Sequence, residues 1–435
     1  MKSLRPSLGA ETKVAVRAGG LLMSVGIVGG VGNLVFNLLV ARGGGPSAYG
    51  AVGSLLNLVT VAGFFALGAQ YAVAHISAVA PPGTNLMGRA FRGVAPWLGI
   101  SLVVLACAVP LTAYLHLSSI GPALLTGFLL VGTVLGAAPA GLLVGRSRFR
   151  AVAVITLGSA FLRLALGALL VRGPGTVTGA LAASLVAVLG GVVARTVWVL
   201  WSDRTRQHRA AALPTTDTKP QHGGPGLVLR GTLGAMIAGG LWGIWALPVL
   251  AARHTLGPSE AGQFAAAQLL AGAIIWVTAP LVTAFYPTLA KGPNRQAIRV
   301  GIGATAAVAG IGLLGFGLVG PFVIPRVYGA SFHPSAVLLF DLGLSAMATA
   351  VITFASWSAL ARSHLVGPVL AGLGVAVASA LVLCVVWAHS SLELGASPAI
   401  ALVLGSAGMG VAKLVTSWRS AAVGDEVQVG GSARA

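Results

Sequence analysis

The side chains best placed to do chemistry in this sequence are the few polar ones inside long apolar stretches. Arg163 stands alone in ITLGSAFLRLALGALL. A guanidinium at the centre of a bilayer costs at least ~2.5–3.5 kcal/mol on insertion scales, so a partner or a water-filled cavity must offset it. Arginine grips phosphate and other oxyanions bidentately. An anionic ligand would therefore satisfy it, and so would a structural pair with Asp341 or with backbone carbonyls. Asn33 and Asn37 are four apart and share a helix face. Asn57, Gln70, Gln263 and Gln268 are further amides within apolar runs. Such amides line a wet passage or tie helices together by hydrogen bonds. Arg17, just before the first apolar run, is a first contact for a phosphate or an ordinary basic anchor. Arg195 lies near the end of its run and is expected to snorkel to the interface. Asp341 is the one acid expected within a span and is the candidate for coupling to a proton or cation. Hydration near the interface, or a pair with Arg326, is its alternative.

Other chemistries are not encoded. The chain has no Gly-x-x-x-x-Gly-Lys-Ser/Thr loop for nucleotide phosphates. No His/Cys/Asp/Glu group has metal-ligand spacing, so neither metal nor cofactor is expected. His116, His254, His333 and His389 are scattered without an acid–nucleophile partner. Cys107 and Cys384 lie in apolar runs and read as small core residues. A non-enzyme is expected.

The elements that hold these residues follow from composition. The 435 residues are 56% hydrophobic and 8% charged, with mean hydropathy +0.92; a soluble domain carries roughly a quarter charged residues. A helix of ~20 apolar residues crosses the hydrocarbon. Spans are expected at 18–41, 50–73, 94–115, 119–144, 151–171, 177–201, 231–252, 261–286, 297–321, 335–360, 366–388 and 398–417. The first is too long, and too closely followed by others, for a signal peptide. Lys and Arg number 27 against 8 acids, a net charge of +19. In a soluble protein that balance would suggest nucleic acid; in a membrane protein it belongs in loops facing the anionic cytoplasmic leaflet, and no nucleic-acid partner is expected. With the N-terminus inside, Arg42, Arg172, Arg253 and Arg326 fall in outer loops, Arg163 and Arg195 in spans, and every other cation on the cytoplasmic side. Both termini are therefore expected in the cytoplasm. Trp97, Trp198, Trp201, Trp387 and Trp418 fall near span ends, where indoles favour the interface; Trp242, Trp245 and Trp276 are deeper and read as packing residues. Pro110, Pro139, Pro248 and Pro280 lie within spans and Pro287 at the end of one, as hinges or static kinks.

The chain divides in two. Residues 202–230 are polar, without apolar periodicity, and read as a cytoplasmic linker between bundles 1–201 and 231–417, with a tail at 418–435. Leu39-Val40-Ala41-Arg42 followed by Gly45-Pro46-Ser47-Ala48-Tyr49-Gly50 returns as Leu250-Ala251-Ala252-Arg253 followed by Gly257-Pro258-Ser259-Glu260-Ala261-Gly262. The expectation is an all-α membrane protein of twelve helices in two six-helix bundles. Six spans between repeats preserve orientation, which implies a pseudo-twofold axis along the membrane normal, a cleft between bundles and alternating access.

Three stretches carry a family resemblance: NLVFNLLVARGGGPSAYGAVGSLLNL, LPVLAARHTLGPSEAGQFAAAQLL with AFYPTLAK after it, and VYGASFHPSAVLLFDLGLSA. With two six-span halves they resemble the multidrug/oligosaccharidyl-lipid/polysaccharide (MOP) exporter superfamily, and within it the polysaccharide-biosynthesis (Wzx-type) flippases. The resemblance implies movement of a polyprenyl-(pyro)phosphate-linked oligosaccharide from the inner to the outer leaflet of the plasma membrane. It implies as partners the lipid-linked glycan, membrane lipids, and glycosyltransferases or a polymerase of the same pathway. Arg163 would meet the phosphate, with Asn33, Asn37, Arg17, Asn57, Gln70 and Gln268 as further contacts. The superfamily's lipid II flippases carry several central cations where this chain has Arg163; its drug antiporters rely on buried acids where this chain has Asp341. An ion-coupled small-molecule exporter is the alternative, and a non-transporting scaffold for glycan-synthesis enzymes a third reading.

Overall fold

The computed structural model describes residues 8–80, 86–210, 225–290, 295–360 and 366–409, and these are helical apart from short turns. Helices are what a bilayer permits, since each backbone N–H and C=O must be paired within its own segment. The elements are α1 (Leu8–Val79), α2 (Met87–Ala106), α3 (Ala108–Tyr114), α4 (Gly121–Gly145), α5 (Phe149–Leu170), α6 (Thr176–Ala210), α7 (Pro225–Thr255), α8 (Pro258–Ala290), α9 (Arg295–Tyr328), α10 (Ala336–Leu360), α11 (Val366–Val382) and α12 (Ser391–Met409). A 3₁₀ turn (Gly173–Gly175) precedes α6 and a π turn (Leu383–Trp387) extends α11. Ten stretches are long and apolar enough to span a membrane. That number takes α1 as one and leaves out α7; with the two limbs of α1 and with α7 the chain has twelve crossing helices.

Chain contacts divide the protein into Met1–Ala235 and Met236–Ala435, each a unit of six crossing helices. α1 is two helices: Gly45 leaves the helical region at φ 69°, ψ −174°, and Pro46 opens the second limb. A left-handed φ suits glycine and would strain any other residue. The limbs fold back on each other, because Tyr49 Oη reaches Asn37 Oδ1 at 3.3 Å, whereas twelve residues of straight helix would span ~18 Å. The matching turn in the second unit, Gly257-Pro258, is one residue longer and contains no left-handed residue. There Arg253 Nη1 donates to the Pro258 carbonyl at 3.4 Å across the turn.

Several boundaries depart from the sequence reading, and three departures have a clear physical cause. The third span is broken at Cys107 into α2 and α3, because Pro110 has no N–H for the Ala106 carbonyl and its ring crowds that oxygen. α6 continues to Ala210 and α7 opens at Pro225, so the expected linker 202–230 is helical at both ends. Apolarity ends where the membrane ends, but Arg204, Arg206 and Arg209 suit the negative end of a helix dipole, and Pro suits a first helical position. Finally, α12 begins at Ser391, ahead of the expected 398. Ser390 and Glu393 form a capping box: Glu393 Oε2 accepts from the His389 and Ser390 N–H groups at 2.6 and 3.1 Å, and Ser390 Oγ from the Glu393 N–H at 3.3 Å. The tail 418–435 lies outside the described residues.

Small residues set the packing. α4 is the buried hub of the first unit, against α1, α2 and α6. A Cβ at Gly145 would lie 2.1 Å from the Ala74 carbonyl oxygen, and one at Gly141 2.6 Å from that of Gln70. The α1 backbone therefore rests directly on these glycines. In the second unit α10 packs on α8 and α9, and Gly372 of α11 meets Gly405 of α12, each Cβ position 2.6 Å from the other's carbonyl oxygen. A contact with backbone cannot be relieved by a rotamer change. Gly145→Ala is accordingly expected to destabilise the full-length protein by about 1–3 kcal/mol, read as a lowered melting temperature in detergent. Gly99→Ala, with nothing within 4 Å of its Cβ, should be neutral or slightly stabilising.

Candidate substrate-binding site

Arg163 is on α5, two turns before the helix ends at Leu170, nearer one end of its span than the centre expected from sequence. Its Nε donates to Ser184 Oγ of α6 at 2.9 Å, and its Nη1 to Asn33 Oδ1 of α1 at 3.0 Å. The guanidinium carbon lies 3.8 Å from the centroid of the Phe36 ring. Phe36 is fully buried, and its ring fits against Gly167, where a Cβ would come within 2.9 Å of Cε2. Ser184 Oγ donates in turn to the Ala180 carbonyl at 2.8 Å, which leaves its lone pair for the arginine. Both acceptors are neutral and neither is Asp341. The charge is thus solvated by a cation–π face and two dipoles, with no carboxylate among its partners, and Nη2 makes no hydrogen bond to a described residue. A half-buried guanidinium with free N–H donors is a receptor for an oxyanion.

The turn of α1 positions this centre. Tyr49, buried just past Gly45, donates to Asn37 Oδ1 at 3.3 Å, and Asn37 Nδ2 donates to the Asn33 carbonyl at 2.8 Å. The paired asparagines therefore have different work. Asn33 is exposed and faces Arg163, whereas Asn37 is buried and serves as the strut that links Tyr49 to the Asn33 backbone.

The remaining expected residues are not brought to Arg163. Asn57 Nδ2 bonds the Gly53 carbonyl of its own helix at 2.9 Å. Gln70 is half-buried where its backbone meets Gly141. Gln268 is buried; its Nε2 donates to the Trp245 carbonyl, joining α8 to α7, and its Oε1 has no hydrogen-bond partner. Gln263 Oε1 accepts from the His333 N–H at 3.2 Å. Asp341 is half-buried on α10 beside Gly395 of α12. Arg17 belongs to the helical run of α1, but its side chain lies outside the described residues. Arg195 does not snorkel: its Nη2 approaches Thr156 Oγ1 of α5 at 3.5 Å and its Nε is buried. Sequence reading missed Phe36, Ser184 and Tyr49. Phe36 lies one turn after Asn33 and Gly167 one turn after Arg163, a large–small pair flanking the polar one.

No protein-family model matches the sequence, and no curated protein sequence resembles it significantly. Solved structures do resemble the fold. The inward closed conformation of the lipid II flippase MurJ aligns with TM-score 0.61 and 11% identity over 91% of this chain and 86% of that one. An inward-facing multidrug resistance MATE family transporter of the MOP superfamily aligns with TM-score 0.55 and 15% identity over 89% and 94%. The eukaryotic MATE transporter AtDTX14 gives TM-score 0.55 and 14% identity over 93% and 97%. The chain is a multi-pass membrane protein with the MOP superfamily fold, twelve helices in two bundles.

Removing the acceptor of a charged donor costs about 1.5–3 kcal/mol when the donor is buried. Ser184→Ala should therefore lower stability by about 1–3 kcal/mol, and the loss should shrink in an Arg163→Gln background. A double-mutant cycle of melting temperatures checks the coupling.

Proposed function

We propose that the protein is a flippase for a polyprenyl-(pyro)phosphate-linked oligosaccharide, moving it from the cytoplasmic to the outer leaflet of the plasma membrane. The observation that carries the reading is the Arg163 guanidinium, held at membrane depth by neutral partners with N–H donors left over. A purely structural arginine would be expected to sit against a carboxylate. One held by dipoles keeps its charge for a ligand, and a phosphoryl group is the complementary shape. Passing the sugar along a polar surface avoids dragging its hydroxyls through hydrocarbon, while the lipid chain stays in the bilayer. The fold supports a transporter, and MurJ, which shares it, is a lipid II flippase. On this reading both termini are cytoplasmic and the glycosyltransferases or polymerase of the same glycan pathway are partners.

The test is leaflet exchange of a fluorescent polyprenyl pyrophosphate disaccharide in vesicles containing the full chain. Arg163→Ala should slow exchange about tenfold or more, the loss of one charge-assisted contact; an unchanged rate removes Arg163 from the mechanism. Asn33→Asp is sharper, because it supplies the missing carboxylate where Oδ1 lies 3.0 Å from Nη1. Stability should rise or hold while exchange falls. An Asn33→Asp protein that flips at the wild-type rate contradicts the need for an uncompensated charge.

A further inference from the structure

Arg195 turns the single cation of the proposed site into a pair. α5 and α6 run antiparallel: Arg163 faces Ser184, Ser159 faces Gly191, and Thr156 faces Arg195. Thr156, Ser159 and Arg163 follow one another at i, i+3 and i+7, and so form a single stripe. The facing stripe on α6 is Ser184, Gly191 and Arg195. The seam between the helices therefore carries polar groups along its length, with a guanidinium near each end.

Arg195 is the less satisfied of the two. Its Nε is buried without a hydrogen-bond partner, and its contact to Thr156 is long at 3.5 Å. Its head lies beside Gly136 and Gly191: a Cβ at Gly136 would lie 3.6 Å from Nη1 and one at Gly191 4.0 Å from it. Arg195 precedes the end of the apolar stretch at Ser202 by about two turns, as Arg163 precedes the opposite end at Leu170. Eleven residues of α6 separate Arg195 from Ser184, the partner of Arg163, a rise of ~16 Å. One diphosphate cannot span that distance. Two cations without a carboxylate partner, spaced across about half of the ~30 Å hydrocarbon core along one seam, suit a group that visits them in turn.

We propose that the α5–α6 seam is a two-station phosphoryl relay. Arg195, with Thr156, takes the anionic head of the lipid-linked substrate near one membrane face, and Arg163 holds it near the other. The relay rests on the flippase reading above and adds the second station and the direction of the path. Its ligand chemistry is a phosphoryl group carried on a lipid, from the polyprenyl carrier and not from bulk phospholipid.

The experiment is leaflet exchange of fluorescent polyprenyl pyrophosphate in neutral phosphatidylcholine vesicles, with a phosphate-free fluorescent polyprenol as the second probe. Arg195→Gln should slow the pyrophosphate probe about tenfold or more and leave the polyprenol unaffected. Arg195→Lys should retain most of the rate. Thr156→Val, which removes one hydroxyl, should slow the probe less but in the same sense, and it serves as the deciding variant if Arg195→Gln does not fold. A wild-type rate in the deciding variant overturns the relay. If Arg163→Gln is slow while Arg195→Gln is normal, the relay fails and the flippase reading stands; if both are normal, both fail. Added phosphatidylglycerol should not inhibit the wild-type protein. If it inhibits wild type and not Arg195→Gln, the arginine is a bulk-headgroup site and the relay is overturned.

Discussion

A positive charge that the protein does not neutralise is the constraint on which the first six-helix unit is built. Arg163 must be held within an apolar span, and the chain has only 8 acids against 27 cations. Its environment replaces a counter-ion by parts: a π face worth roughly 0.5–2 kcal/mol, and two oxygen acceptors worth about 1.5–3 kcal/mol each for a charged donor. Together these are comparable with the insertion cost of an arginine. They differ from a salt bridge in one respect that matters for function. A carboxylate would cancel the field of the guanidinium, whereas a ring and two dipoles leave most of it in place.

Meeting that constraint uses parts distant in sequence. Asn33 reaches Arg163 because Asn37 and Tyr49 fix the first limb of α1, and Tyr49 reaches Asn37 because Gly45 lets the chain double back. Phe36 presents its ring because Gly167 leaves space for it. α1 itself is fixed by resting on Gly141 and Gly145 of α4. Glycine here is a packing device, since without a hydrophobic drive between helices the contact must come from close approach. The Arg163 site therefore inherits its rigidity from the packing of α1 on α4.

The architecture was legible because it follows from hydropathy and charge alone. Apolar length and the asymmetry of Arg and Lys gave twelve spans, and the repeated Arg–Gly-Pro-Ser pattern located the turns that open α8 and the second limb of α1. What failed was whatever depended on partners. Helix ends at Ala210, Pro225 and Ser391 are set by caps, dipoles and neighbours, and hydropathy carries none of these. Arg195 was expected to snorkel because its distance from the membrane edge allowed it, yet Thr156 and the gap at Gly136 hold its head inside. Asn33 and Asn37 are equivalent by helical periodicity and separate only because Tyr49 covers one of them. The Thr156, Ser159, Arg163 stripe was in the sequence, and its spacing was the available signal for the seam.

The two units share a plan but not a chemistry, and the difference is informative. Both open with the same turn, yet Arg163 and Arg195, whose heads bond side chains of neighbouring helices, belong to the first unit. In the second, the corresponding polar groups are consumed in holding helices together: Gln268 bonds the backbone of α7, Gln263 the backbone at His333, and Ser345 Oγ the Gly395 carbonyl at 2.7 Å. A duplicated scaffold needs its turns and close contacts in both copies, since each copy must fold in the same bilayer. A receptor for one anionic group needs charge in only one.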